Sequence, residues 1–180
     1  MQPNLPVCPC QINPVSEAIK AALSYKDCCQ PYHDSLLSQE ADSIMAESAE
    51  RLMRTRYSAF ALVKPDYIVK TTLPTQQSLL DINAMENWAK ETDWAGLEIV
   101  EHTPKRGKRH AQVEFKAYFN TVDGIQAHHE LSAFVKVKDK ATNDGRWYFL
   151  DPTVSMSVTQ KQPCICGSGE KFKRCCGLYF

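Results

Sequence analysis

The sequence has no excess of either charge: 21 lysines and arginines stand against 21 aspartates and glutamates over 180 residues. A general nucleic-acid binder shows a strongly basic balance, so nucleic acid is not an expected partner. No apolar run approaches the roughly 18–20 residues that cross a bilayer. The opening MQPNLPVCPCQ lacks the basic-then-apolar order of a secretory signal, so a cytoplasmic chain with no membrane partner is expected. Also missing are a phosphate-cradling glycine loop, a nucleophile elbow and a dinucleotide fingerprint. Hydrophobic residues make up 43% and charged residues 23%, which is ordinary for a folded chain and excludes wholesale disorder. This length fits one domain with small appendages, and its core needs no metal to form.

The cysteines are also defined by where they are missing: none lies between Cys29 and Cys164. Cys8, Cys10, Cys28 and Cys29 open the chain, and Cys164, Cys166, Cys175 and Cys176 close it. A disulfide framework spreads its cysteines through the loops it staples, whereas two terminal quartets without an export signal favour metal. The C-terminal quartet reads C-x-C, eight residues, C-C. Four thiolates complete the tetrahedral shell that Zn²⁺ prefers and leave no open position, so the expected zinc is structural. Gly167 and Gly169 give the turn after C-x-C its backbone freedom. Residues 170–174 are expected to form a short helical turn, with Lys171, Lys173 and Arg174 placed to offset the −2 charge of a tetrathiolate site. The N-terminal quartet repeats the ligand order with a seventeen-residue loop. That loop lacks the glycines, and residues 15–24 read as a short helix with Ser16 as N-cap. Cys8, Cys10, Cys28 and Cys29 are candidate ligands for a second zinc, with His33 an alternative ligand. Cysteines that merely pack in a core are the competing explanation, more so here than at the C-terminus. A redox dithiol would show C-x-x-C at a helix start, which is absent.

The segment CICGSGEKFKRCCG resembles the SEC-C motif, the zinc knuckle at the end of the SecA translocation ATPase. In that motif the C-x-C pair and the later C-C pair bind one zinc, which implies Cys164, Cys166, Cys175 and Cys176 as ligands. The SecA knuckle is a docking surface. Here Lys161, Lys171, Lys173 and Arg174 are the candidate contacts for a protein partner, and the expected role is an adaptor or interaction module.

Between the quartets lies an α+β pattern. Leu52, Met53, Tyr57, Phe60 and Ala61 recur at helical spacing in a helix predicted to start within 42–46. Pro65 opens a second helix that Pro74 closes, and a third spans roughly 77–92. After Gly96 the period becomes two. Strands are predicted from LEIVEHT, from AQVEFKAYFN with Ala111, Val113, Phe115, Ala117 and Phe119 on one face, from HHELSAFVKV with Leu131, Ala133, Val135 and Val137, and from RWYFLDPT. Asp123-Gly124 and Asp144-Gly145 supply turns. About three helices packed on a curved antiparallel sheet of about four strands resemble the nuclear transport factor 2-like (cystatin-like) cone. The segments RLMRTRYSAF, PDYIVKT, WAGLEIVEH and GRWYFLD between two cysteine quartets resemble YchJ-type bacterial SEC-C proteins along nearly the whole chain. That resemblance implies Thr-x-His-Pro after the second helix, where this chain has Thr71-Thr72-Leu73-Pro74. The expected domains are 1–33, 34–160 and 161–180.

Cones of this kind host enzymes and carriers, so a small-molecule pocket inside the cone is the alternative function. Arg54, Tyr57 and His102 are its candidate residues, with His102 needing Asp151 or Glu114 as a carboxylate partner. The bland readings are a solvated arginine and a structural histidine. His128-His129-Glu130 is not a metal site, since alternation sends the histidines to opposite faces. Trp88, Trp94 and Trp147 read as core. Pairing of two copies through the sheet, as many cones do, is a further expectation. Chelation is expected to disorder the knuckles and leave the central fold standing.

Overall fold

A computed structural model describes residues 6–16, 22–38, 44–138 and 145–180. Four strands, β1 (Asp93–Arg106), β2 (His110–Thr121), β3 (Gly124–Lys138) and β4 (Gly145–Leu150), pair in sequence order as an antiparallel meander. Three register shifts in β1, at Trp94/Gly96, Ile99/Glu101 and Thr103/Arg106, bend the sheet, because each extra residue kinks one strand against its partner. The helices are α1 (Tyr25–Cys28), α2 (Gln30–Ser38), α3 (Ala49–Ala61), α4 (Pro65–Thr71), α5 (Pro74–Gln77) and α6 (Ile82–Glu91). Among the described residues no helix is long and apolar enough to cross a membrane.

Helix α3 is the axis of the fold. Its Leu52, Met53 and Tyr57 meet Ala111, Val113, Phe115 and Ala117 of β2 and Phe134 of β3 in the main core. The period-two pattern of β2 therefore points at α3, as its sequence predicts. The helix starts at Ala49, later than 42–46, because the Ser48 side chain accepts from the Arg51 amide and fixes the N-cap there. Its end carries Val63 at φ 53°, where the Lys64 amide reaches back to the Ala59 carbonyl at 2.8 Å, a left-handed C-cap on a residue poorly suited to it. The helix predicted over 77–92 spans 82–91, and a separate single turn precedes it. Pro74 begins the single turn α5, and Asp81 starts α6 by accepting from the Ala84 amide. Gly96 lies inside β1, which already begins at Asp93. Of the helix predicted at 15–24, residues 17–21 lie outside the described residues, as does Asp144 of the predicted turn, while 15, 16 and 22–24 are not helical and Ser24 instead caps α1.

The sheet is buried on both faces near β4. Phe134 and Phe149 turn toward α3, while Ala133, Val135 and Leu150 turn away from it and pack against Phe172 and the C-terminal cysteines. The far end of β3 lacks that cover: Leu131, predicted to be core, is 59% exposed. The N-terminal segment crosses β1 at Gly96. The Leu97 amide donates to the Ile12 carbonyl at 2.7 Å, and a Cβ on Gly96 would sit 2.5 Å from that same oxygen.

Candidate metal centres

Each cysteine quartet converges. The four sulfurs of Cys8, Cys10, Cys28 and Cys29 lie within 4.8 Å of one another, and so do those of Cys164, Cys166, Cys175 and Cys176. In the first group Cys10 is 3.7 Å from Cys8, 3.6 Å from Cys28 and 3.5 Å from Cys29. In the second, Cys166 is 3.6 Å from both Cys164 and Cys175. A tetrahedron with Zn–S bonds of about 2.3 Å has edges of about 3.8 Å, so the sulfurs already stand near the spacing of a zinc shell. All eight are buried and unbridged. The donor set fits zinc, and each quartet has the geometry to hold one ion.

Local structure explains the convergence. Cys8 and Cys10 bracket the start of a 3₁₀ turn at Pro9–Gln11, while Cys28 ends α1 and Cys29 is its C-cap. Ser24 starts α1 by accepting from the Asp27 amide, and the Cys8 amide donates to the Leu23 carbonyl at 2.8 Å, which closes the loop between the two pairs. At the other end, Gly167 (φ 71°) and Gly169 (φ 78°) turn the chain back, and the Cys164 amide meets the Glu170 carbonyl at 2.8 Å. The predicted helical turn is a 3₁₀ turn at Phe172–Arg174.

Without metal, the thiols compete for protons. Cys28 is held far below the ordinary thiol range by hydrogen bonds from Cys10, Cys29 and Cys8. Cys10 and Cys29 are pushed far above it, first by their bonds to Cys28 and to Cys10 respectively. Cys8 is lowered to about 7, chiefly by Cys10. In the second quartet Cys166 is lowered to about 4, chiefly by a hydrogen bond from Cys176, while burial raises Cys175 to about 11. Hydrogen bonds from neighbouring thiols thus favour the charged form at Cys28 and Cys166. A central dication favours ionisation of all four and makes metal affinity pH-dependent.

The charge balance differs from the one predicted. At the N-terminal quartet the cations come from α3: Arg51 Nη1 lies 3.8 Å from Cys28 Sγ, and Arg54 Nη1 donates to the Cys10 carbonyl at 3.1 Å. At the C-terminal quartet the polar neighbours of the sulfurs carry no side-chain cation. They are the Cys176 amide to Cys164 at 3.4 Å, Ser168 Oγ beside Cys175 at 3.5 Å, and His110 Nε2 beside Cys176 at 3.5 Å. Lys171, Lys173 and Arg174 are exposed. Among the described residues none of their side chains bonds a sulfur, because the turn that carries them points outward.

His33 is not a ligand. Its Nδ1 meets the Tyr25 hydroxyl at 2.8 Å and its Nε2 the Thr55 carbonyl at 2.9 Å. The ring is neutral, with its pKa lowered to about 4 by burial. His128 and His129 pair separately with Glu130 and Glu114.

A cavity of about 260 Å³ opens inside the cone, between α3, α6 and the concave face of the sheet. Of the predicted pocket residues only Tyr57 lines it. Arg54 is turned away and pairs with Glu50 at 2.9 Å. His102 faces the same Glu50 at 3.5 Å, not Asp151 or Glu114. The arginine in the wall is Arg56. Helical spacing carried that signal: Met53, Arg56, Tyr57 and Phe60 form one i, i+3, i+4, i+7 stripe, whereas Arg54 belongs to the Glu50 stripe. Trp88 and Trp94 line the cavity as well, and Trp88 is 46% exposed, so it is not core.

A curved meander wrapped on a central helix, with a four-thiol centre near each end of the chain, defines a zinc-binding α+β protein of nuclear transport factor 2-like fold. Three family models match: "YchJ family protein, N-terminal zinc binding domain" over residues 3–37, "YchJ, middle NTF2-like domain" over 48–152, and "SEC-C motif" over 161–178. The chain belongs to the YchJ family. It is 45% identical over 173 residues to a UPF0225 protein of Actinobacillus succinogenes, covering 96% of this chain and 97% of that one. A UPF0225 protein of Haemophilus influenzae is 47% identical over 170 residues, covering 94% and 91%. The crystal structure of a SEC-C motif containing protein from Psychrobacter arcticus superposes with TM-score 0.93 at 75% identity, covering 97% of each chain. A solution structure of a SEC-C motif containing protein from Rhodopseudomonas palustris gives 0.56 at 37% identity, covering 72% of this chain and 91% of that one.

Proposed function

We propose that the chain is a cytoplasmic docking module that captures an acidic protein segment through its zinc-supported C-terminal end. The observation that carries this is the unused positive charge there. Lys171, Lys173 and Arg174 are not spent on the thiolates and face solvent. Beside them runs a groove on which Lys105, Lys108, Arg109 and Lys136 converge. Groove and knuckle are one unit: Lys108 pairs with Glu170 at 2.9 Å, and His110, also in the groove wall, stacks on Tyr179 at 4.5 Å. A chain of zero net charge with a local cluster of cations is suited to steer an acidic partner rather than to coat itself with nucleic acid. The closed thiolate shells support a structural role for the metal, and eight unbridged thiols suit a reducing compartment.

The test is binding of a labelled oligoglutamate peptide to the zinc-loaded chain, with an oligonucleotide of equal length alongside. The double variant Lys108→Glu/Lys173→Glu is expected to lose about tenfold in peptide affinity, close to 1.4 kcal/mol, with bound zinc unchanged. Absence of peptide binding, equal binding by the variant, or tighter binding of the oligonucleotide rejects the reading.

A further inference from the structure

We infer that the cavity inside the cone is a binding site for a small molecule with a flat apolar body and a single carboxylate, received by Arg56. This site is separate from the docking surface and does not rest on that reading.

The walls set the shape of the body. Trp88 and Trp94 meet edge to face at 5.0 Å and 81°, and Phe60 meets Trp88 at 5.1 Å and 71°. These rings brace one another around the space and do not fill it. Interiors normally close to the density of organic crystals and keep few voids larger than a water molecule. A space of about 260 Å³ lies just below the roughly 300–1,000 Å³ typical of ligand pockets, which suits a compact ligand of one or two rings.

Arg56 sets the head group. It is 5% exposed and lies in the cavity wall with its guanidinium 4.4 Å from the Phe149 ring centroid. One nitrogen is fully engaged: Nη1 donates to the Ile68 carbonyl at 2.9 Å, to Thr71 Oγ1 at 2.8 Å and to Thr72 Oγ1 at 3.2 Å. These bonds to the end of α4 fix the plane of the fork. Among the described residues Nε and Nη2 bond nothing, and no carboxylate forms an ion pair with this arginine. A buried cation held in one plane with one edge open is a receptor for a carboxylate, whose two oxygens match that edge.

The nearby acids do not serve that purpose. Glu130 is engaged by His128 at 2.9 Å and by Ser132 Oγ, and one oxygen of Asp151 accepts from the Thr153 amide at 2.9 Å and its hydroxyl at 2.6 Å. Both line the same cavity. Both also favour the charged Arg56 through space and repel any incoming anion, a dianion such as a phosphate monoester most, so the ligand carries no more than one charge and its acid must bond the open edge directly.

The experiment uses the full, zinc-loaded chain and fluorine NMR, with fluorobenzoate and fluorophenylacetate each paired with its carboxamide. Binding of the acids is expected, with each amide at least tenfold weaker. Arg56→Gln is expected to abolish that preference with zinc content unchanged. Ala117→Leu, which adds bulk to the opposite wall and leaves Arg56 alone, is expected to weaken acid and amide together. Equal binding of acid and amide to the wild-type chain overturns the inference. So does absence of binding at millimolar ligand, or an acid preference that survives Arg56→Gln. Should that variant fail to fold, the acid–amide comparison on the wild-type chain decides alone.

Discussion

The two thiol centres share a ligand order and differ in what they are built into. The N-terminal sulfurs sit in the same core as Leu52, Tyr57 and Phe134, on the α3 side of the sheet, and their balancing arginines belong to α3 itself. The C-terminal sulfurs pack with Ala133, Val135, Leu150 and Phe172 on the opposite side. Their loop is eight residues long against seventeen, and its turn is closed by its own glycines. The N-terminal centre is thus part of the main core, whereas the C-terminal one forms a knuckle laid against the back of the sheet. The expectation that chelation spares the central fold therefore separates into two: one metal braces the body and the other braces an attachment.

The largest test of that contrast is removal of one ligand from each centre. Cys29→Ser is expected to lose one zinc and about 4 kcal/mol of global stability, since it unmakes a metal site and a buried cluster together. That corresponds to a fall in Tm of roughly 8–16 °C for a chain of this size. Cys175→Ser is expected to lose the other zinc with less than half that fall and with the sheet signal in circular dichroism retained. Calorimetry with elemental analysis reads both, and equal falls would break the contrast.

Acid provides a second test. His33 is wholly buried, and its pKa is lowered from 6.5 to about 4 by burial. Between those values the unfolded chain binds a proton that the folded chain refuses. Stability from this group is therefore complete above about pH 6.5 and lost as pH falls toward 4, by about 3 kcal/mol in all. Urea unfolding across this window should show a steeper pH slope for the wild type than for His33→Gln. Parallel slopes would detach this histidine, and the α1–α2 segment it anchors, from the stability of the body.

The smallest test uses two glycines. In Gly96→Ala the new Cβ meets the Ile12 carbonyl at 2.5 Å, where the N-terminal segment crosses β1. A global loss of about 2 kcal/mol is expected from the forced shift. In Gly177→Ala the Cβ meets the Phe172 ring at 2.9 Å within the knuckle, and the expected effect is faster zinc loss to chelator with little change in Tm. A reversal of the two outcomes would exchange the roles of the centres.

Much of this was legible from residue order. The Leu52, Met53, Tyr57 stripe and the alternation of β2 each declare one buried face, and each element presents that face to the other. What escaped involved a second face or a distant partner. Ala133 and Val135 were read as the core side of β3, yet the α3 side is Phe134, because the knuckle covers the back of the sheet. Gln76 is wholly buried, exchanging hydrogen bonds with the Asp151 main chain at 2.7 and 3.1 Å. Nothing near Gln76 in the sequence announces that partner. Arg54 and Arg56, two residues apart, parted company on one helix, since 200° of rotation sends one toward Glu50 and the other into the cavity.

Residue order alone determined the α+β class, the two sets of four sulfurs and the helical and strand periods, because these depend on spacing along the chain. Only tertiary structure decided which side of the sheet each set occupies, which arginine enters the interior and where the remaining positive charge collects. Those outcomes turn on contacts between segments as far apart as His110 and Cys176, and burial and Coulomb energies at such contacts depend on distance in space.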